Sequence, residues 1–311
     1  MLRLLGSGPN GAILLALGNG PLRTKRLTQR VSGYAPRTVY RHAGVLAGVG
    51  LLERREEPGV PSKVTHNLSR PSGRDLFRLL DASAIAALPR LPDGQADARA
   101  WASFELLAEL WESGIVDELS CEARSPTELA TAPHGLSFHQ IDRRAHLFTA
   151  SGLLSERPGR GRNKRYGLTE KTRRDMALIA GIGRWRRRYV TPESPGLTVA
   201  EMATVLRTAL PLVRLPQRVG KSISLTVIAT DGRGDEEGET LWARAERRGA
   251  VRCGRGPAAS ADGWARATVG TWLVALLDGK RGRLQVGGDV GLIDAYLTQL
   301  YARLWRKGPP G

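Results

Sequence analysis

The stretch "PRTVYRH" puts Arg37 and Arg41 one helical turn apart, with Tyr40 beside them. From one helix face, two guanidinium groups can donate to phosphate oxygens or base edges, and a phenol can bond a phosphate or cover a thymine methyl. A second stretch, "FHQIDRRAH", offers His139, Gln140, Arg143 and Arg144; the amide of Gln140 has the paired donor and acceptor that match an adenine edge. Just beyond, "RPGRGRNKRYGLT" carries Arg162, Lys164 and Arg165, where charge matters more than side-chain geometry and phosphate is the expected contact. The competing reading is a solvated helix face whose arginines cover apolar surface. On that reading Tyr40 is half buried, and His42 and His139 are ordinary surface groups. The run "RGRNKR" resists it, because like charges crowded into a hairpin repel unless solvent or an anion compensates them.

These residues belong to a repeat. "GYAPRTVYRHAGVLAGVGLLERR" from Gly33 aligns without a gap on "GLSFHQIDRRAHLFTASGLLSER" from Gly135, matching Val39 with Ile141, Arg41 with Arg143, Ala43 with Ala145, and Gly50-Leu51-Leu52 with Gly152-Leu153-Leu154. In the first copy Ile13, Leu14 and Leu17 give an apolar face, a short element runs from Thr24 to Val31, and a helix starts near Pro36, which needs no amide partner in a first turn. Val39, Ala43 and Leu46 fall on one side of that helix. "LLERREEPGVPSKVTHNLS" then reads as a hairpin. The second copy repeats the order with "ASFELLAELWESGIVDEL" as a helix, "SPTELATA" as a short helix with Ser125 and Glu128 at capping-box spacing, then "SFHQIDRRAHLF" and a basic hairpin. Each copy predicts a winged helix-turn-helix, in which a helix can enter a DNA groove while the hairpin meets the backbone.

The rest of the chain changes character. "TPESPG" marks a boundary, Thr198 and Glu201 have capping-box spacing, and "SISLTVIAT", "LWARAE" and "WARATVGTWLVALLDGK" mix strand and helix patterns in what reads as an α+β domain. With 311 residues and 41% hydrophobic content, the chain has enough sequence for more than one core. Its net charge of +17 favours a polyanionic partner. Cys121 and Cys253 are far apart in sequence and lack metal-ligand spacing, so a reducing, cytoplasmic setting is expected. The first apolar run is broken by glycine and has no small-residue cleavage site, and no stretch is long enough to cross a bilayer. No metal set, nucleophile elbow, phosphate loop or paired-acid motif is visible, so neither an enzyme nor a cofactor is expected.

Over roughly the first 80 residues, "PRT", "GLLERR" and "VPSKVTHNLS" together resemble the HxlR-type branch of MarR-like winged-helix transcription regulators. The second copy resembles MarR-like modules more loosely, through "LATAPHGLSFHQIDRRAHLFTASGLLSERPG" and "YGLT". The resemblance implies that Arg37, Thr38 and Arg41 lie on a recognition helix and Lys63 in the matching wing. Such regulators act as symmetric dimers. Two modules in one chain instead imply a monomeric pseudo-dimer on a nonpalindromic site, with a homodimer left open. The N-terminal cysteine of redox-sensing relatives is missing and Cys121 is not in its place, so a thiol switch is not expected. From about Thr198 the chain resembles a sterol-carrier-protein-2-like domain through "LWARAE" and "WARATVGTWLVALLDGKRGRLQVGGDVGLIDAYLTQL". That resemblance implies an apolar tunnel lined by Trp242, Trp264, Trp272, Leu273 and Leu276, with core packing as the alternative for each. The expected fold is thus multidomain α+β: tandem winged helix-turn-helix domains over 1–96 and 97–190, then a sterol-carrier-protein-2-like domain over 197–311. The expected function is sequence-specific double-stranded DNA binding as a transcriptional regulator, a repressor modulated by an apolar small molecule. A protein-binding scaffold is the alternative, and a weak salt dependence of binding would distinguish it.

Overall fold

The computed structural model describes residues 2–31, 33–59, 63–82, 98–133, 135–159, 163–190, 196–229 and 238–305. It is a mixed α+β structure of two compact units, Met1–Glu109 and Leu110–Pro309. No described helix is long and apolar enough to cross a membrane.

The first unit opens with α1 (Leu2–Gly6) and α2 (Asn10–Ala16), followed by β1 (Leu22–Arg23), α3 (Thr24–Arg30) and α4 (Pro36–Gly48). A hairpin of β2 (Leu52–Glu57) and β3 (Lys63–Leu68) and then α5 (Ser72–Ala82) complete the succession. β1 pairs with β3, giving the order β1-β3-β2. Pro36 occupies the first turn of α4 as expected. Ile13, Leu14 and Leu17 bury against Leu27, Val39, Ala43 and Leu46, each at most 1% exposed. Past α4, Gly50 takes a φ of +73° and the Leu51 amide donates back to the Leu46 carbonyl at 2.9 Å. This left-handed cap turns the chain directly into the hairpin.

The second unit repeats that construction. α6 (Ala98–Glu112) contains the boundary between the units and is followed by α7 (Ile115–Leu119), α8 (Pro126–Ala130) and α9 (Phe138–Ala150). The single helix expected over "ASFELLAELWESGIVDEL" is therefore two, divided at Ser113 and a left-handed Gly114. Ser125 and Glu128 do form a capping box. α9 has the length of α4 and buries Ile141, Ala145 and Phe148 at the positions of Val39, Ala43 and Leu46. Gly152 repeats the φ of +73°, and the Leu153 amide repeats the back-bond, to Phe148, at 2.8 Å. β4 (Leu154–Pro158) and β5 (Lys164–Leu168) form the second hairpin. An isolated bridge between Arg124 and Tyr166 stands where β1 joins the first. Even the exit matches: Ser69 Oγ donates to the Gly50 carbonyl at 2.7 Å, and Thr169 Oγ1 to the Gly152 carbonyl at 2.9 Å.

α10 (Glu170–Arg174) and α11 (Met176–Tyr189) lead to α12 (Val199–Ala209), which starts at the expected Thr198–Glu201 capping box. Five strands follow: β6 (Ser222–Ile228), β7 (Gly238–Ala245), β8 (Val251–Arg255), β9 (Gly263–Thr268) and, after α13 (Val269–Asp278), β10 (Gln285–Gly288). The sheet order is β10-β9-β6-β7-β8, with β6 and β9 parallel and the other neighbours antiparallel. α12, α13 and the closing α14 (Val290–Leu304) pack on its apolar face, which buries Ile223, Leu225, Val227, Leu241, Ala243 and Ala265. α11 packs against α12 and α13, so the second helix–hairpin segment and the C-terminal segment share one unit.

Their junction is polar at its centre. Arg207 of α12, only 1% exposed, pairs with Asp117 of α7 and Glu239 of β7. Thr204 Oγ1 donates to Asp117 at 2.7 Å, and Arg255 of β8 also pairs with Asp117. Nearby, Arg173 Nη1 donates to the carbonyls of Ser120 at 2.6 Å and Thr208 at 2.9 Å. Burial alone would raise the Asp117 carboxyl, but Arg207, the Thr204 hydroxyl and Arg255 outweigh it and hold the group below its ordinary 3.8. Asp117→Asn should therefore cost the second unit on the order of 2–3 kcal/mol near neutral pH, less than a fully broken buried pair because Glu239 still holds Arg207. A carboxyl depressed on folding stabilises above its unfolded value and loses that contribution as pH falls through the folded one. Urea unfolding should accordingly show the difference from wild type at about pH 7 and show it shrinking below the ordinary 3.8.

Candidate nucleic-acid interface

The two equivalent helices, α4 and α9, present matching ridges. Arg37, Arg41 and Val45 lie four residues apart on α4 and are all exposed; His139, Arg143 and Leu147 occupy the corresponding exposed positions on α9. Residues at this spacing form one line along a helix, and on α4 it lies away from the buried Val39, Ala43 and Leu46. Tyr40 is 47% exposed beside the first ridge, and Thr38 is half buried. The aliphatic ends, Val45 at 45% and Leu147 at 46%, set an apolar side chain next to Arg41 and Arg143, a pairing suited to a thymine methyl beside phosphate. Sequence reading overlooked them, although the register that buries Val39 and Leu46 already excluded them from the core.

Several expected contacts are spent inside the protein. Gln140 Oε1 accepts from the Ser137 amide at 2.9 Å in a capping box, leaving only its NH2 end free of that task. In this conformation it cannot make the paired adenine contact, which needs both ends of the amide. Arg165 donates to the Ala123 carbonyl from Nε at 3.0 Å and from Nη2 at 2.6 Å, and pairs with Glu128 at 3.2 Å. Lys164 pairs with Glu156 at 3.1 Å. Arg162 lies outside the described residues. Lys164 and Arg165 are thus less available to phosphate than the sequence implies. The first is mixed in charge: Lys63 is exposed opposite Glu57, and Arg54 pairs with Glu56 at 3.4 Å. Arg144 is half buried. His42 is not simply a surface group, since its Nδ1 shares a 2.9 Å hydrogen bond with Oδ1 of the buried Asn10. Exposed Lys25 and Arg26 on α3 add cations that sequence reading passed over.

The residues named for an apolar tunnel do not surround one space. Trp272, Leu273 and Leu276 are core residues of α13, each at most 2% exposed, and Trp272 Nε1 donates to the Thr226 carbonyl at 3.0 Å. Trp242 and Trp264 sit on the opposite, outer face of the sheet, both in register with Ser224. Each indole lies over a glycine of an outer strand: Trp242 over Gly254 and Trp264 over Gly287. Alternation along β7 and β9 forces this division, because Leu241, Ala243 and Ala265 take the inner face. Trp242 does line an open cleft of about 570 Å³, in the polar company of Ser222, Arg244, Glu246, Arg252 and Asp262.

No family model matches the chain, and no curated protein matches it. Among solved structures, the crystal structure of the diamide-treated YodB from B. subtilis is 28% identical over 27% of this chain and 84% of that chain, with a TM-score of 0.24. A likeness at that score assigns no fold.

The two classes of arginine separate in stability. Arg165→Ala removes two hydrogen bonds to a carbonyl and should cost about 1 kcal/mol, whereas Arg143→Ala, on the exposed ridge, should stay within about 0.5 kcal/mol of wild type. Paired urea titrations check this, and equal losses would mean that the Arg143 ridge is structural.

Proposed function

We propose that the chain is a sequence-specific double-stranded DNA-binding transcriptional regulator, and that each helix–hairpin copy is a winged helix-turn-helix domain with α4 or α9 as its recognition helix. The observation that supports this is the recurrence of one exposed ridge, Arg37-Arg41-Val45 and His139-Arg143-Leu147, on two helices with the same buried face and the same glycine cap. A core explains the repeated apolar positions, but it does not require an exposed arginine at the repeated Arg41 and Arg143 position. A net charge of +17 adds a field that draws polyanions. The ridges differ in detail: Tyr40 on α4 corresponds to Asp142 on α9. Unequal ridges in one chain favour a nonpalindromic site. The five residues named for an apolar effector offer no shared lining, so modulation by such a ligand gains no support from their placement.

The full chain should bind a duplex selected from genomic DNA far more tightly than a scrambled duplex of equal composition, with an affinity that falls steeply as salt rises. Arg41→Ala and Arg143→Ala should each weaken a different part of the footprint, by roughly 5- to 100-fold if the lost contact is to a base, and with a salt slope smaller by about one if it is to phosphate. Fluorescence anisotropy across a salt series and footprinting of the two variants measure these. No preference over scrambled DNA at about 0.15 M salt would defeat the reading, and salt-independent capture of protein partners would favour the scaffold instead.

A further inference from the structure

Cys121 and Cys253 stand 132 residues apart in sequence, yet their Sγ atoms are 3.5 Å apart. Cys121 lies in the connection between α7 and α8 and is partly exposed, whereas Cys253 lies in β8 and is 3% exposed. No thiol switch is expected from the sequence, because Cys121 is not where redox-sensing relatives carry their cysteine, but the fold gives Cys121 a partner from a distant strand. We propose that Cys121 and Cys253 form a reversible oxidation site, at which a hydroperoxide oxidises Cys121 and Cys253 resolves the product into an intrachain disulfide tying the α7–α8 connection to β8.

The surroundings assign different roles to the two sulfurs. Facing Cys121 are the Cys253 thiol, the Ser120 hydroxyl at 3.6 Å, and the cations of Arg207 from α12 and Arg173 from α10. The Cys253 hydrogen bond first, then Ser120 and the two arginines, bring Cys121 down to about 6 against the opposing effect of burial. Cys253 is pushed well up by its hydrogen bond to Cys121 and by burial, and it keeps its proton. That proton can also point to the Arg207 carbonyl, 3.3 Å from the Cys253 sulfur. Of the other charged groups near the pair, Asp117 is held by Arg207 and Arg255, and Glu118 by Arg124 and Arg255. Burial pushes the Tyr296 hydroxyl of α14 well up, and it stays neutral. The less buried sulfur, Cys121, is thus the nucleophile, and the buried Cys253 thiol is within reach to resolve it.

The Cys121 thiolate attacks the terminal oxygen of the hydroperoxide. An S–O bond forms, the O–O bond breaks, and the alkoxide leaves and takes a proton from water. The Cys253 sulfur then attacks the Cys121 sulfenic acid, an S–S bond forms, the S–O bond breaks, and the departing hydroxide combines with the Cys253 proton as water. Two thiols lose two electrons and the hydroperoxide gains two. Bonding requires the sulfurs to close by about 1.5 Å, which the non-helical connection on the Cys121 side can supply. A dithiol reverses the reaction by exchange.

The test uses the full chain, hydrogen peroxide as oxidant and dithiothreitol as reductant, and does not depend on DNA binding. After peroxide, intact mass spectrometry should show a monomer lacking two hydrogens, peptide mapping should join the Cys121 and Cys253 peptides, and dithiothreitol should restore the starting mass. Cys253→Ser should stop at a Cys121 sulfenic acid that dimedone traps, and Cys121→Ser should leave the Cys253 thiol intact. Native alkylation of Cys121 should be nearly constant between about pH 7 and 8, where an unperturbed thiol rises about eightfold. Two thiols still free after peroxide, or a disulfide joining Cys121 of two chains, would overturn the proposal. Both readouts on wild-type protein stand even if a serine variant fails to fold.

Discussion

A guanidinium at 1% exposure must have carboxylates around it, because an uncompensated buried charge costs several kcal/mol. Arg207 meets that demand with Asp117 from one side of the second unit and Glu239 from the other. No single element could supply both partners, so α7 and β7 must both lie against α12. Arg255 and Thr204 complete the Asp117 shell, and Arg173 binds the Ser120 and Thr208 carbonyls on either side of the same junction. Cys121 follows Ser120 directly, and Cys253 bonds the Arg207 carbonyl. The meeting of the two sulfurs is therefore a consequence of where the buried arginine requires its carboxylates to be.

The duplicated helix–hairpin segments show which constraints repetition preserves. Three buried positions, a left-handed glycine and a hydroxyl bonded to the carbonyl of that glycine recur in both copies. Each enforces backbone geometry, and a loss in either copy would unseat helix from hairpin. Most other exposed positions have diverged, while the ridge keeps Arg41 as Arg143 and an aliphatic residue at Val45 and Leu147. The hairpins differ too: one mixes acid and base in Glu53-Arg54-Arg55-Glu56-Glu57, while the other holds Lys164 and Arg165 in local ion pairs. A basic residue contributes to an external field only in proportion to what its neighbours leave uncompensated, so Lys164 and Arg165 add less to it than their count suggests.

In the C-terminal segment, the described helices pack on one face of a single sheet, and the β8–β9 connection crosses part of the other, where the Ala258 amide donates to Ser224 Oγ at 3.0 Å. Small and aliphatic side chains fill the inner side, and the outer side carries Ser224, Thr226, Trp242, Arg244, Trp264 and Arg266. Two indoles can lie flat there because Gly254 and Gly287 have no Cβ to obstruct them. Aromatic residues are thus divided between core and surface by strand alternation rather than by hydrophobicity.

The amino-acid sequence by itself determined the local features: the repeat, the start of α4 at Pro36, the Ser125 and Thr198 capping boxes, the buried face of Val39, Ala43 and Leu46, and the glycine exits from α4 and α9. Each rests on contacts within a few residues, where composition and spacing are enough. Only the tertiary structure decided what depends on distant segments. It committed Gln140 and Arg165 to internal partners, set Trp242 and Trp264 across the sheet from Trp272, and placed Cys121 against Cys253. Sequence spacing has no term for such meetings, because a contact between segments 132 residues apart follows from the packing of whole helices and strands around Arg207 and not from the residues on either side of each cysteine.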